Sequence, residues 1–194
     1  MFGKLKKRYD IKTMEKNVDL RSLIIHKKFS GEQLEEILKF EALKNDLSLR
    51  KSYIVLICQY QKLSENFIEK YQDEVNWGCV SKYQKLSENF IKKFLTRVNM
   101  VKISEHQVLS EEFIRKFKYK VDWAEISNFQ NFSCDFAIEF FPYLNWYVVL
   151  RIKQFNESHF YKLTCCCEKR TRDAFIDFYL THQTISEKSI IDNW

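Results

Sequence analysis

The sequence predicts an all-α fold, namely a solenoid of stacked short helix-turn-helix repeats. The chain has one proline and three glycines in 194 residues, so the residues that β-turns and long loops require are scarce. The nonapeptide YQKLSENFI occurs twice, at residues 60–68 and 83–91. Self-similarity at a period of roughly 20–50 residues indicates an array of stacked structural units. Both observations favour helices that pack against copies of themselves.

The repeat spacing divides the chain into three predicted regions. The two nonapeptide copies start 23 positions apart, and related blocks begin at His106 with HQVLSEEFIRKF and at Phe129 with FQNFSCDFAIEF. Weaker copies lie at residues 18–30 and 182–187. We therefore expect a basic N-terminal segment with a divergent helical cap in residues 1–50, a helical repeat array in residues 51–155, and a divergent C-terminal cap in residues 156–194.

Each repeat opens with residues typical of a helix start. A serine precedes an apolar-periodic run, and an acidic residue usually follows it, where the positive end of the helix dipole favours a carboxylate. Phe67, Ile68 and Tyr71 then fall on one helical face. Lys70 lies near the end of that helix, where a cation is favourable. The serines at these predicted N-caps are Ser64, Ser87, Ser110 and Ser133.

A second short helix follows in each repeat. Trp77, Val80 and Tyr83 are spaced three residues apart and form one amphipathic stripe. Helices of about two turns are marginal alone in water, so we expect them to be stabilised by stacking on their neighbours. The predicted N-caps of these second helices are Asn76, Asn99, Asp122 and Asn145.

Equivalent positions of the four clearest repeats predict the core. Each column places one apolar side chain per repeat, and burying such a side chain contributes roughly 1.5–3 kcal/mol. The five predicted columns are Leu63, Leu86, Leu109 and Phe132; Phe67, Phe90, Phe113 and Phe136; Tyr71, Phe94, Phe117 and Phe140; Trp77, Met100, Trp123 and Trp146; and Val80, Ile103, Ile126 and Val149.

The pattern LSExFI…VNWxxISxxQ resembles the short tandem repeats of uncharacterised proteins from large DNA viruses and from AT-rich phages and bacteria. The resemblance is good from Tyr60 to about Leu150 and weak on both flanks. It implies an α-helical solenoid and favours a viral origin. It implies no catalytic residue, because the repeat contains none.

Glutamine is a further periodic feature. One glutamine per repeat recurs at the same position and forms a ladder. Buried polar groups need partners, so we expect these amides to satisfy backbone groups at the turns between repeats. The alternative is that they face the backbone of a partner. The ladder consists of Gln61, Gln84, Gln107 and Gln130.

The histidines form no catalytic or metal-binding pattern. None lies four residues from another histidine or a cysteine, so a helical metal-ligand pair is not supported. Three of them share the column of Tyr60, Tyr83 and Phe129, and the fourth aligns with Phe67, so we expect structural or half-buried rings. These histidines are His26, His106 and His182 in the first column and His159 in the second.

The six cysteines indicate free thiols. They are Cys58, Cys79, Cys134 and the run Cys165–Cys167. No spaced pairs and no secretory signal are present, so we expect a reducing, cytoplasmic compartment. Neighbouring basic residues could lower a thiol pKa in the run, but small buried side chains on a helix are the favoured interpretation.

Positive charge is concentrated in two places. Residues 1–28 carry nine basic and three acidic residues, including a basic arm at Lys4, Lys6, Lys7 and Arg8. We favour a solubilising role for the arm over contacts with nucleic acid, anionic lipid or an acidic partner. Residues 85–120 hold nine basic and four acidic residues. The candidate partner-binding stripe in this segment is Lys92, Lys93, Arg97, Arg115, Lys116, Lys118 and Lys120.

These features lead to two functional hypotheses. Helical arrays present extended surfaces that work by binding, so the first is a protein-interaction module, such as a virus- or phage-encoded factor that modulates a host defence protein. The alternative is a nucleic-acid-binding or nucleoprotein-inhibiting protein, because a basic stripe can bind phosphate backbones. A solvated face is the third interpretation of the stripe. We expect no enzyme activity, no cofactor and no metal, since no catalytic constellation stands out.

Overall fold

A computed structural model of the chain describes residues 20–146 and 148–149. Regular structure in these residues is entirely helical, with eleven α-helices, one 3₁₀ helix and no strand, which confirms the all-α prediction. None of the described helices has the length and apolar character needed to cross a membrane. Helices α1 to α11 are Leu20–His26, Gly31–Leu38, Glu41–Asn45, Leu47–Tyr60, Glu65–Lys70, Trp77–Tyr83, Glu88–Lys93, Met100–His106, Glu111–Lys116, Trp123–Phe129 and Cys134–Glu139, and the 3₁₀ helix is Phe141–Tyr143.

The chain forms two compact units, and the boundary between them follows Gln130. Helices α1 to α10 belong to the first compact unit, and α11 and the 3₁₀ helix belong to the second. In the first unit, the second helices of successive repeats lie against one another. Helix α1 contacts α4, α4 contacts α6, α6 contacts α8, and α8 contacts α10.

Side-chain caps start most of these helices, as predicted. In the first helix of a repeat the serine hydroxyl accepts a hydrogen bond from the backbone N–H three residues later, as the Ser64 hydroxyl does from the Phe67 N–H at 3.2 Å. The second helix begins in the same way, with the Asn76 side chain accepting from the Cys79 N–H at 2.9 Å. Such a cap contributes about 1 kcal/mol. Caps of this kind are formed by Ser64, Ser87, Ser110, Ser133, Asn76, Asn99 and Asp122.

Three of the five predicted core columns are buried throughout: those that begin at Leu63, Phe67 and Val80. The column beginning at Tyr71 alternates, because Phe94 and Phe140 are buried while Tyr71 and Phe117 are half-buried. The structure adds columns that the apolar spacing did not single out. They are Ile68, Ile91, Ile114 and Ala137; Val75, Val98, Val121 and Leu144; and the polar column Ser81, Ser104 and Ser127.

The fourth predicted column is half-buried throughout, including Met100, and its three tryptophans have a chemical reason for this. The indole N–H of Trp77 donates to the carbonyl of Gln72 at 2.9 Å, in the turn before the helix. Trp123 and Trp146 make the same bond, each to the carbonyl five residues earlier and each at 2.9 Å. An indole N–H needs a partner when its ring leaves water. The side chain is therefore held at the turn, where it stays partly exposed.

An insertion interrupts the period near the N-terminal end. Helices α1 and α2 occupy the places of a second and a first helix, and Ser30 caps α2 as the repeat serines do. Helix α3 then intervenes, and α4 has 14 residues where α6 has seven. The amide of Gln61 accordingly bonds 32 residues back to Phe29, whereas that of Gln84 bonds 21 residues back to Leu63. The 11 additional residues do not change the hydrogen bond by which the glutamine amide links one repeat to the preceding one.

Candidate interaction surfaces

The glutamine ladder joins each repeat to the one before it. The amide oxygen of Gln84 accepts from the Leu63 N–H at 2.8 Å, and its nitrogen donates to the carbonyls of Cys58 and Gln61 at 2.6 and 2.8 Å. Gln107 and Gln130 make the same three bonds one and two repeats later. Gln61 bonds Phe29, Lys27 and Ile24.

These amides are at most 6% exposed, and each bonds backbone groups of its own chain. The expectation that they satisfy the turns between repeats is confirmed, because their hydrogen bonds are made inside the chain. The ladder also determines how the second helices are oriented relative to one another. Each glutamine caps the C-terminus of its own second helix and reaches the C-terminus of the preceding one. The C-terminal ends of α1, α4, α6, α8 and α10 therefore lie side by side.

Most residues of the duplicated nonapeptide have a structural role. In its second copy Gln84 makes the hydrogen bonds to the preceding repeat, and Ser87 is an N-cap. Leu86, Phe90 and Ile91 belong to the core. The acid in each copy links neighbouring repeats: Glu65 accepts from the Ser87 N–H at 2.5 Å, and Glu88 accepts from the Ser110 N–H at 2.7 Å. The tyrosine, the lysine and the asparagine remain exposed. They are Tyr60, Lys62 and Asn66 in one copy and Tyr83, Lys85 and Asn89 in the other.

The predicted basic stripe is largely paired within the chain. Lys93 lies 2.5 Å from Glu69 of the preceding repeat, and Arg97 lies 2.7 Å from Asp73. Lys92 and Arg115 each pair with an acid four residues earlier on their own helix, at 3.8 and 3.1 Å. Lys116, Lys118 and Lys120 form no ion pair with a described residue. Four of the seven candidate cations therefore face carboxylates already.

Charge reversal at two equivalent positions of this stripe is expected to have opposite effects. Lys70 pairs with Glu35 and Lys93 with Glu69, so the same register places Lys116 beside Lys92. Lys93→Glu should destabilise the protein by up to about 1 kcal/mol, because a like charge then faces Glu69. Lys116→Glu should leave the free energy of unfolding unchanged or raise it slightly, because the new carboxylate can pair with Lys92. Urea unfolding at low salt measures the difference.

High salt is the control for that comparison, since the Debye length falls from about 10 Å at 0.1 M to about 3 Å at 1 M, where exposed charges are screened even at short range. The difference between the two variants should shrink there. Equal destabilisation by both, independent of salt, would contradict the register.

A second surface was not identified from the sequence as a site. One ring-bearing residue per repeat lies at the C-terminal end of each second helix, and each of these residues is exposed as a whole: His26, Tyr60, Tyr83, His106 and Phe129. We call this row the ring edge. The sequence places these residues in one column and predicts structural or half-buried rings for its histidines, which agrees with the His106 side chain at 28% exposed. The rings of Tyr60, Tyr83 and Phe129 belong to residues that are 36%, 44% and 58% exposed.

The described histidines are part of that edge. His106 Nε2 lies 3.3 Å from a carboxylate oxygen of Glu105, which also pairs with Lys102 at 2.7 Å. The pKa of Glu105 is lowered, chiefly by its hydrogen bond from Lys102. Within the described residues, no group of three or more His, Cys, Asp and Glu side chains could hold a metal ion.

Cys58 is a packing residue of the serine column. It is fully buried at the position that Ser81 occupies one repeat later, and the backbone N–H of Asn76 reaches its sulfur. Burial raises the pKa of this thiol to about 12. Ser81 makes the corresponding bond, accepting from the Asn99 N–H at 3.0 Å.

We expect Cys58 to resist alkylation in the folded protein, because the thiolate is the nucleophile and burial keeps this thiol protonated. Peptide-resolved mass spectrometry after iodoacetamide treatment at pH 8 should find Cys58 unmodified until urea is added. Cys79 is partly exposed and serves as the internal control. Cys58→Ser should cost less than about 1.5 kcal/mol, because serine fills this column elsewhere. Rapid native labelling of Cys58 would contradict its assigned burial.

A cavity of about 310 Å³ lies where the insertion meets the repeats. Two of its cations are already engaged: Arg50 bonds Glu74 at 2.5 Å and the Leu38 carbonyl at 2.6 Å, and Lys39 pairs with Glu36 at 3.1 Å. The pKa of Tyr71 in its wall is raised, first by burial and then by Glu35. The cavity is therefore not a strongly positive site.

Several sequence-based candidates lie outside the described residues: the basic arm Lys4, Lys6, Lys7 and Arg8, the run Cys165–Cys167, and His159 and His182. Comparison of the chain with protein-family models, curated proteins and solved structures finds no match.

Proposed function

We propose that the chain is a solenoid of stacked helix pairs that functions by binding another protein through the ring edge. The recurring joints support the solenoid. Gln84, Gln107 and Gln130 repeat the same three backbone bonds at a spacing of 23 residues. The observation that carries the function is the row of exposed rings, since aromatic side chains are enriched at protein interfaces and dominate their binding energy.

Burial in the core does not explain why each repeat carries a ring at this position. The residues of the core columns are buried, but the ring position is exposed in all five repeats of the first unit. Tyr60 and Tyr83 belong to near-identical copies, whereas His106 and Phe129 lie in copies that have diverged and still carry a ring. Two positions further on, the side chain changes from lysine to valine between Lys85 and Val108. The ring is retained where its neighbours vary.

The resemblance of the repeat to those in proteins of large DNA viruses favours a host protein as the partner. The nucleic-acid hypothesis receives less support, because four cations of the basic stripe already pair with carboxylates. A mobility-shift assay with single- and double-stranded oligonucleotides at low salt tests that alternative, since phosphate binding is strongest there.

Affinity purification from host cells, with nuclease treatment, tests the proposal. The wild-type chain should retain a protein in near-stoichiometric amount, and the variant Tyr60→Ser/Tyr83→Ser should lose it. The matched control is Asn66→Ser/Asn89→Ser, which changes two exposed residues of the same nonapeptides away from the ring edge. Circular dichroism confirms that each variant is folded. A partner retained equally by all three proteins would refute the assigned surface.

A further inference from the structure

The ring edge carries a group of unpaired lysines. The first three repeats place five lysines beside the rings, and none of them forms an ion pair with a described residue. The Lys28 ammonium donates to the Tyr60 carbonyl at 3.0 Å, and the Lys82 ammonium lies 5.1 Å from the centre of the Tyr83 ring. The five lysines are Lys27, Lys28, Lys62, Lys82 and Lys85.

The positive charge is confined to one end of the edge. At the position of Lys62 and Lys85 the next repeat has Val108, which is 92% exposed. Phe129 is the following ring and is 58% exposed. Glu105 lies between these two regions, beside His106. One end of the edge is therefore basic and aromatic, and the other is apolar and aromatic with a carboxylate.

We propose that the ring edge binds an extended acidic segment of the partner protein, with acidic residues beside Tyr60 and Tyr83 and apolar residues beside Val108 and Phe129. This proposal rests on the proposed function and names the chemistry of its partner. Unpaired cations at an interface select acidic sequences and speed association. A nucleic-acid strand fits less well, because its phosphates would continue past Val108 and Glu105, where the described residues offer no unpaired cation on the ring edge.

The spacing of the rings suits an extended chain. The C-terminal ends of neighbouring second helices lie side by side, and packed helices are about 8–10 Å apart. A peptide in the polyproline II conformation repeats its face every three residues, or about 9 Å. Successive rings would then contact every third residue of the bound segment.

Selection of random 15-residue peptides displayed on phage against the full chain tests this proposal. We expect enrichment of sequences that have clustered Asp and Glu in one half and apolar residues in the other. Fluorescence anisotropy then measures an enriched peptide against three proteins. Lys62→Glu/Lys85→Glu should weaken its binding by at least about tenfold, as expected for loss of charge complementarity. The control Lys116→Glu/Lys120→Glu changes net charge equally, away from the ring edge, and should alter binding less than about twofold.

The outcomes separate this inference from the proposed function. Enrichment of neutral or basic peptides, failure to enrich any sequence, or equal weakening by both charge variants would overturn the acidic-segment proposal. So would tighter binding of a labelled dT15 oligonucleotide that Lys62→Glu/Lys85→Glu abolishes. If a natural partner is lost with Tyr60→Ser/Tyr83→Ser but kept with Lys62→Glu/Lys85→Glu, the proposed function stands and this inference fails.

Discussion

Gln107→Leu is expected to destabilise the protein by about 3–6 kcal/mol. The substitution leaves the Leu86 N–H and the carbonyls of Ser81 and Gln84 without the amide that bonds them at 2.8–3.0 Å. An unsatisfied buried polar group costs about 1–3 kcal/mol, and leucine can replace none of the three bonds. Since a domain of this size is stable by only about 5–15 kcal/mol, the variant should be largely unfolded at moderate urea concentrations.

Urea unfolding followed by circular dichroism measures this change, and Gln59→Leu is the matched control. Gln59 lies on α4, is half-buried, and forms no side-chain hydrogen bond with a described residue. The same chemical substitution there should change the free energy of unfolding by less than about 0.5 kcal/mol. Similar losses in the two variants would show that the amide joints do not hold neighbouring repeats together.

Phe113→Ala is expected to lower the free energy of unfolding by about 3–5 kcal/mol, because it leaves a cavity in the core. The Phe113 side chain is 1% exposed, and its ring centre lies 4.6 Å from that of Phe117. Phe113→Leu should cost less than about 1.5 kcal/mol, since it nearly preserves the apolar volume.

The ring edge provides the control for this core substitution. Phe129→Ala removes the same atoms from a residue that is 58% exposed, so the unfolding free energy should fall by less than about 1 kcal/mol. Thermal and urea unfolding of the three variants give the comparison. If Phe129→Ala were as costly as Phe113→Ala, the ring would be part of the core and the binding surface would be misassigned.

The repeat made much of the first unit predictable. Once Tyr60 and Tyr83 are aligned, the caps and three core columns follow, because each obeys a local rule that the sequence repeats. The tryptophan column was placed too deep, since apolar character alone does not show that the Trp77 indole must reach the Gln72 carbonyl. The buried serines were missed for the converse reason. Ser81 is short and polar, and its burial depends on a bond to Asn99 in the next repeat.

The candidate surface was less predictable. Counting charges along residues 85–120 selected Lys93 and Arg97, but pairing with Glu69 and Asp73 depends on which residues stacking brings together. The signal for the ring edge was present as a shared column. Only its histidines were assigned a role, as structural or half-buried rings, and a sequence pattern cannot tell which end of a helix a neighbour leaves uncovered. The weak copy at residues 18–30 was recognised, but the 11-residue insertion that separates it from the next repeat was not, and the structure shows that Gln61 still joins the two.

The identical spacing of the amide joints has a consequence for the gene. If the codons for residues 62–84 were lost in frame, Gln61 would be followed by Lys85, and the nonapeptide sequence would be restored. The amide of Gln107 would keep the Leu86 N–H and meet the carbonyls of Cys58 and Gln61, as that of Gln84 does now. Unequal recombination between the two copies can thus shorten or lengthen this protein by whole repeats while the hydrogen bonds between neighbouring repeats are all retained.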